Sequence, residues 1–404
     1  MRRIKMIMTI VGCVLLLMMV TSGGSAKEPD KYVVGGMQAL SGPGYSVVLD
    51  MIVKGCDLGI EQINAAGGID GIKMKSIWED HKAKGPEAVS AFMKLIDINH
   101  APVTTIGYTA PIMACAPIAD RRKVLLINHG GYGPALSGAG KYLFHIPANE
   151  LIMIRCMLDY AKKVKNIKSI GLIHVNDDMG LSVKDFLEDY CGTIGIKLMG
   201  SEAFDIAATE YGVQIEKAKR WNADAIYLSV HRHPFLIKQA SQKDWNPQWI
   251  GCPLYTYGEF TTQAGPGIKG AIAASADVSI ERNPGLLKLK AAWEKKFGKG
   301  SWPKAGSAYA GYAYDFPYIV KSLIEYGKKR GWKDYWTGKK LRQAMVEIDS
   351  FDGCMGKLTF DANTGLSFRK LQIFEAIDSP DKVGTYAWKG VDFYTPEQIR
   401  RIGK

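Results

Sequence analysis

The sequence contains little that indicates a catalyst, a membrane protein or a fold held by disulfides. Only 7 of its 404 residues are cysteine, and no two of them are spaced as CxxC. No GxSxG, HExxH or phosphate-binding loop motif is present, so the common nucleophilic, zinc-dependent and nucleotide-dependent enzymes are not indicated. Beyond the first 26 residues, no apolar run approaches the length of about 20 residues that crosses a bilayer. We therefore expect neither an enzyme nor an integral membrane protein.

The balance of charge is basic. Lys and Arg number 52 against 40 Asp and Glu, which gives a formal net charge of +12. A basic surface favours anionic partners. However, the lysines are scattered in short groups such as 162–165 and 328–330, and no basic helix is interleaved with aromatic residues. Such groups are typical of solvated helix faces, so no nucleic-acid partner is predicted.

The N-terminus has the pattern of a secretory signal peptide. Arg2, Arg3 and Lys5 precede the uncharged apolar run Ile7–Val20, and small residues follow at Gly24-Ser25-Ala26. The run is short for a membrane span, although an uncleaved N-terminal anchor is the alternative. We predict that residues 1–26 are removed and that the mature chain begins near Lys27 in the periplasm.

The remaining chain is too long for one hydrophobic core, which favours two domains. Its cysteine count is even, and an exported chain folds in an oxidising compartment, so disulfides are compatible with the sequence. The spacing does not identify pairs. The six cysteines are Cys56, Cys115, Cys156, Cys191, Cys252 and Cys354.

Strand-like and helix-like segments alternate along the chain in two runs. Because parallel neighbours in a sheet need a crossover helix, this alternation predicts an α/β fold with two doubly wound lobes. A long helix near 310–326, a second near 339–347 and pairs of strands are predicted for the tail. Strands are predicted at 32–37, 72–79, 103–107, 124–128, 169–174, 197–202, 225–229 and 249–251. Of the other predicted helices, one ends near residue 66 and the next begins at residue 85. The rest cover 111–120, 150–165, 181–191, 211–221 and 233–243.

Two signatures mark the opening and the close of this pattern. The opening one comprises Gln38–Pro43, Gly55 and the run Ile63–Gly71, and the closing one is Gly356–Gly365. A helix around Tyr309–Asp315 lies between them. In this order, over about residues 31–395, the chain resembles the periplasmic solute-binding proteins of the leucine/isoleucine/valine type, which serve ABC importers.

The resemblance implies two Rossmann-like lobes joined by three crossing segments, near 146–148, 274–277 and 351–356. The first lobe would hold residues 27–147 plus 277–353, and the second 148–276 plus 354–404. Ligand would bind in the cleft between them, outside the carboxyl ends of the strands. The resemblance also implies a monomer that docks on a membrane permease with ATPase subunits, and it implies no cofactor.

In the first lobe, the resemblance places ligand contacts on two loops. Family members often carry small hydroxyl residues on the first loop, and these residues and a helix N-terminus bind the ligand's carboxylate. In this chain the side chains of the loop are less polar and larger. On the second loop, glycines would let the backbone approach a ligand, and a tyrosine would offer its hydroxyl. The candidate residues are Thr109, Ala110, Met113, His129, Gly130, Gly131 and Tyr132.

In the second lobe, Met179 stands where family members often have an aromatic residue before a glycine. Arg232 is a candidate bidentate partner for a carboxylate. Tyr45, Tyr255 and Tyr257 would add to the aromatic walls of the cleft. The neighbouring histidines have no further ligand set around them, so no metal site is predicted.

These candidates bear on the ligand's charge. An α-amino acid needs partners for both of its charges, because an unpaired charge in a closed cleft is costly. The family's usual acid for the ammonium group is missing after the strand at 249–251, since Glu259 comes several residues late. We therefore predict a small carboxylate with an apolar or aromatic body as ligand. A hydrophobic amino acid is the alternative, and a ligand-sensing domain that serves a separate receptor is another.

Overall fold

A computed structural model describes residues 28–42, 47–229, 234–251, 258–280, 282–303, 307–380 and 385–402. The strands are β1 Tyr32–Gln38, β2 Met74–Asp80, β3 Val103–Ile106, β4 Leu125–Asn128, β5 Leu143–His145, β6 Ser169–Val175, β7 Lys197–Phe204, β8 Ala225–Ser229, β9 Gln248–Gly251, β10 Ile272–Ala276, β11 Phe351–Gly353, β12 Gly356–Phe360, β13 Ser367–Phe368, β14 Leu371–Asp378 and β15 Tyr386–Tyr394. The helices are α1 Val47–Ala65, α2 Gly85–Met93, α3 Thr109–Arg122, α4 Glu150–Lys165, α5 Asp178–Thr193, α6 Gly212–Arg220, α7 Pro234–Gln242, α8 Gly258–Ala264, α9 Pro284–Phe297, α10 Ser307–Lys329, α11 Gly338–Glu347 and α12 Pro396–Arg401.

Two large sheets with helices around them confirm the predicted α/β class. The first sheet has the order β2-β1-β3-β4-β5, and all of its strands are parallel. The second has the order β15-β14-β10-β9-β8-β6-β7, in which β14 and β15 are antiparallel to the strands beside them. Strands β11, β12 and β13 form a third, small sheet before the chain returns to the second sheet at Leu371. The lobe boundaries given above remain a prediction.

The long predicted helix near 310–326 is confirmed as α10, and glycines let it pack closely on α1. A Cβ at Gly55 would lie 2.5 Å from the carbonyl oxygen of Ala310, and a Cβ at Gly59 would lie 2.7 Å from Cγ of Pro317. Gly55 and Gly59 are one helical turn apart, so they form one smooth stripe. Pro317 occupies the space above Gly59, and this packing offsets the backbone hydrogen bond that a proline removes.

Strands β5 and β10 and helices α8 and α9 lie where no strand or helix is predicted. Strands β5 and β10 are short and wholly buried, and the sequence of β10 is Ile-Ala-Ala-Ser-Ala. Alanine does not favour strands, but pairing with β9 and β14 on either side decides the conformation. Helix α9 buries Leu286, Leu289 and Trp293, a helical spacing that the sequence does display.

The predicted strand pairs of the tail are confirmed in β14 and β15, but the described chain ends in helix α12. A capping box between Thr395 and Gln398 begins this helix. No described helix is both long and apolar enough to pass through a membrane.

Among the described residues, five cysteines are free thiols: Cys56, Cys115, Cys156, Cys191 and Cys354. All five are buried, and burial raises the pKa of Cys115 and Cys191 to about 12. A thiol that stays protonated is a poor nucleophile. The described cysteines therefore act as small core residues, and Cys252 lies outside the described residues.

Candidate ligand-binding cleft

Both large sheets have a point at which the strand order reverses. In the first sheet the chain passes from β1 outward to β2 and then back to β3 on the other side of β1. In the second sheet, β6 lies between β7 and β8 in the same way. Connections on either side of such a point lie on opposite faces of the sheet, so a crevice opens at the carboxyl ends. The loop after β3 borders the first crevice and the loop after β6 borders the second, while the loop after β4 follows the next strand of the first sheet.

Asn128, the last residue of β4, holds the loop that follows it. Its Oδ1 accepts hydrogen bonds from the backbone N–H of Gly130 at 2.8 Å and of Gly131 at 2.6 Å. Its Nδ2 donates to the carbonyl of Gly131 at 2.7 Å and to Nδ1 of His145 at 2.9 Å. The two glycine amides are thus bound inside the lobe. The loop reaches the cleft with its backbone already fixed.

The loop after β3 and the loop after β4 are joined to each other. The backbone N–H of Gly133 donates to Oγ1 of Thr109 at 3.3 Å, and Asn149 donates to the carbonyl of Gly133 at 2.8 Å. A Cβ at Gly131 would lie 2.5 Å from Cδ1 of Ile112, so the loop packs closely on α3 at this position. The predicted candidates on both loops therefore form one wall. Ala110 is half-buried in this wall, whereas Met113 is 38% exposed.

His129 lies in this wall with both ring nitrogens directed into the lobe. Gln38 at the end of β1 donates to its Nε2 at 3.2 Å. Its Nδ1 donates to Oγ1 of Thr105 at 2.7 Å, because that hydroxyl donates in turn to the carbonyl of Ile127. Burial lowers the pKa of His129 to about 3, so the ring is neutral. Through these hydrogen bonds, His129, which directly follows β4, links this strand to β1 and β3.

Tyr132 forms an aromatic surface with a residue from the other end of the chain. Its ring meets that of Tyr309, in the first turn of α10, edge to face at 6.0 Å between centroids. Tyr132 is 9% exposed and Tyr309 is 7% exposed. A Cβ at Gly130 would lie 3.4 Å from the Tyr309 ring, so the backbone of Gly130 packs beside that ring. This pair gives the wall an apolar, aromatic character.

The second lobe meets this wall through α5. Met179 is buried in the first turn of α5, where Asp177 caps the helix by accepting from the N–H of Gly180 at 2.9 Å. Helix α5 contacts α3 and the 3₁₀ turn Pro134–Leu136 of the first wall. Met179 therefore lies on the helix that faces the first-lobe loops. The other four candidates, Tyr45, Arg232, Tyr255 and Tyr257, lie outside the described residues.

A buried carboxylate lies at the junction of the two walls. Glu150, the first residue of α4, has no exposed surface, and its Oε1 accepts from the hydroxyl of Tyr227 on β8 at 2.7 Å. Its backbone N–H donates to the carbonyl of Tyr132 at 2.8 Å. An acidic side chain is stabilised at a helix N-terminus by the helix dipole. Glu150 thus links the first-lobe loop to a strand of the second sheet.

Sequence reasoning missed Asn128, Tyr309 and Glu150. The sequence did contain a signal for Asn128, because a polar residue that ends a buried strand of a parallel sheet faces the crevice. The sequence contained no such signal for Tyr309, since its contact with Tyr132 depends on how α10 packs in the folded chain. Glu150 was predicted only as the beginning of a helix.

Replacing Asn128 with Leu is expected to lower the free energy of unfolding by about 2 kcal/mol, since buried backbone groups lose their partner. Ligand affinity should fall as well, because the loop loses its fixed backbone. Urea unfolding and ligand titration measure the two effects. Asn363→Ala, at an exposed position, serves as the control. Unchanged stability of the Asn128 variant would show that the network does not hold the loop.

This arrangement defines the class of protein: two α/β lobes that present loops to a shared cleft, as in solute-binding proteins of the type I periplasmic fold. A solute-binding protein of an ABC transporter from Rhodopseudomonas palustris, solved with 3,4-dihydroxybenzoic acid, is similar, with a TM-score of 0.75, 19% identity, and coverage of 91% of this chain and 98% of that one. A leucine-binding protein from Thermotoga maritima is similar with a TM-score of 0.74, 18% identity, and coverage of 90% and 99%.

The sequence profile of the periplasmic binding protein family matches residues 31–381, and the chain belongs to that family. A leucine-, isoleucine-, valine-, threonine- and alanine-binding protein from Pseudomonas aeruginosa is 23% identical over 346 residues, which cover 83% of this chain and 88% of that protein. The resemblance inferred from the sequence is confirmed. The chain is a substrate-binding protein of the ABC-transporter type and not an enzyme.

Proposed function

We propose that this protein captures a small carboxylate with an aromatic or other apolar body and delivers it to a membrane permease. The ligand lies between the lobe of residues 27–147 plus 277–353 and the lobe of residues 148–276 plus 354–404. The Tyr132–Tyr309 ring pair carries the proposal, because it gives the wall formed by the loop after β4 an aromatic character. Aromatic rings prefer such edge-to-face and offset contacts. The complex of a similar protein with 3,4-dihydroxybenzoic acid supports this choice of ligand.

Capture follows from the two-lobed architecture. An open form exposes both walls, and a ligand that contacts both favours the closed form by its differential affinity. Removal of a signal peptide, residues 1–26, would place the protein in the periplasm, where it meets the permease and its ATPase subunits. Those residues lie outside the described part of the chain.

A hydrophobic amino acid is the second candidate, and Glu150 is the observation that favours it. This buried carboxylate lies where the walls meet and is the kind of group that an ammonium ion requires. The relative from Pseudomonas aeruginosa, named for leucine and related amino acids, points in the same direction.

Calorimetric titration of the mature protein with benzoate, 4-hydroxybenzoate, leucine and isoleucine separates the two candidates. We expect an aromatic acid to bind with a micromolar dissociation constant, which corresponds to about 8 kcal/mol. X-ray scattering should show compaction with the same compound. Tight leucine binding without aromatic-acid binding would favour the second candidate, and binding of none of the four would reject both.

A further inference from the structure

A buried histidine at the cleft edge of the first sheet has a donor without an acceptor. His81 directly follows β2 and has no exposed surface. Its Nδ1 accepts from the backbone N–H of Ala83 at 2.9 Å, so in the neutral ring the proton is on Nε2. Nε2 has no hydrogen-bond partner. A buried donor left without an acceptor costs about 1–3 kcal/mol, and such groups are rare in folded proteins.

The charge state of His81 limits what this donor can bind. Burial lowers its pKa to about 4, although the neighbouring Asp80 acts in the opposite direction. The ring is therefore neutral at the pH of the periplasm. It offers one N–H group to an acceptor and no positive charge.

His81 lies beside the N-terminus of α3. Its ring meets the ring of Tyr108, the residue before α3, edge to face at 5.8 Å between centroids. Helix α2, which begins four residues after His81, also packs on α3, since a Cβ at Gly85 would lie 3.4 Å from Cβ of Ala114. Tyr108 has a φ of 66°, a conformation that non-glycine residues rarely adopt.

The N-terminus of α3 is itself suited to an anion. No side chain caps it. The first amide groups of a helix have no acceptor within the helix, and the dipole makes this end positive. Pro111 in the first turn has no N–H group, which leaves Thr109 and Ala110 to supply the outward-facing amides. Two independent features, a buried neutral donor and an uncapped helix N-terminus, thus lie side by side.

We propose that His81 donates its Nε2–H to the carboxylate of the captured acid, next to the amides of the first turn of α3. This inference rests on the proposed function, since it requires a carboxylate ligand in the cleft. His81 then supplies the hydrogen bond that small hydroxyl residues on the loop after β3 would otherwise give. It makes the site selective for a ligand oxygen that accepts a hydrogen bond.

The test compares wild-type mature protein with His81→Leu, which removes the donor, and His81→Gln, which keeps an N–H donor. His100→Leu, at an exposed position before β3, is the control. In titrations with benzoate, 4-hydroxybenzoate and leucine, we expect His81→Leu to bind the preferred acid at least tenfold more weakly. His81→Gln should recover part of the loss, and the control should match the wild type.

Nitrogen-detected NMR of the histidine rings in the wild type provides the second measurement and does not depend on the variants folding. Saturation with the same acid should shift the Nε2–H resonance of His81. Wild-type affinity in His81→Leu, or an unmoved Nε2–H signal in the ligand-bound protein, overturns the inference and leaves the proposed function standing. A wild type that binds none of the three compounds overturns both.

Discussion

Lowering the pH from 7 to 5 is expected to reduce the free energy of unfolding by several kcal/mol. Burial lowers the pKa of His81 to about 4, of His129 to about 3 and of His145 to about 4. In the unfolded chain a histidine titrates near 6.5, so between these values the unfolded state binds protons that the native state does not. Stability is then complete above pH 6.5 and declines as the pH falls. Each histidine contributes about 2 kcal/mol of the loss at pH 5.

Urea unfolding at the two pH values and constant ionic strength measures this loss. Replacing His129 with Gln should reduce the pH dependence by one proton, whereas Asn363→Ala, which removes no titratable group at an exposed position, should leave it unchanged. Equal free energies of unfolding at pH 7 and pH 5 would mean that the three rings are not held neutral in the native state.

Replacing Asp315 with Leu is expected to cost about 3–5 kcal/mol of stability, because it leaves Arg369 as a buried charge without a counter-ion. Asp315 lies on α10, and Arg369 lies between β13 and β14; both are buried. Nη2 of Arg369 is 3.5 Å from Oδ2 of Asp315, and the backbone N–H of Cys354 donates to Oδ1 at 2.7 Å. The guanidinium also lies 5.2 Å from the centre of the Tyr312 ring.

The double variant Asp315→Leu with Arg369→Met provides the matched comparison. A buried ion pair is often replaced by apolar side chains at little cost, so this variant should be far more stable than Asp315→Leu alone. Urea unfolding of the ligand-free protein measures all three chains. If Asp315→Leu loses less than about 1 kcal/mol, the pair does not hold the guanidinium in place.

Much of the first-lobe wall followed from the sequence. The segments that form β3 and β4 were predicted as strands, and their pairing in a parallel sheet brings the loops after them together. This is why Thr109 and Gly133 are in hydrogen-bond contact. In the second lobe, Met179 was a candidate through the resemblance alone and preceded the predicted helix 181–191; the helix begins earlier, at Asp178, so Met179 lies in the first turn of α5.

The sequence could not show which of these side chains face a ligand. His129 was a candidate contact, but Gln38 and Thr105 occupy both of its ring nitrogens. His81 was not a candidate, and it has the buried donor. The roles of the two histidines depend on the order β2-β1-β3-β4, which brings residues from separate segments together.

The sequence alone determined the α/β class, because local hydrophobic periodicity and turn residues act over short stretches of chain. Its opening and closing signatures indicated the family through their resemblance to known members. Only the tertiary structure placed Tyr309 against Tyr132, Glu150 against Tyr227, and Arg369 against Asp315. These contacts join residues far apart in the chain. Their geometry is set by sheet order and helix packing, which no single segment encodes.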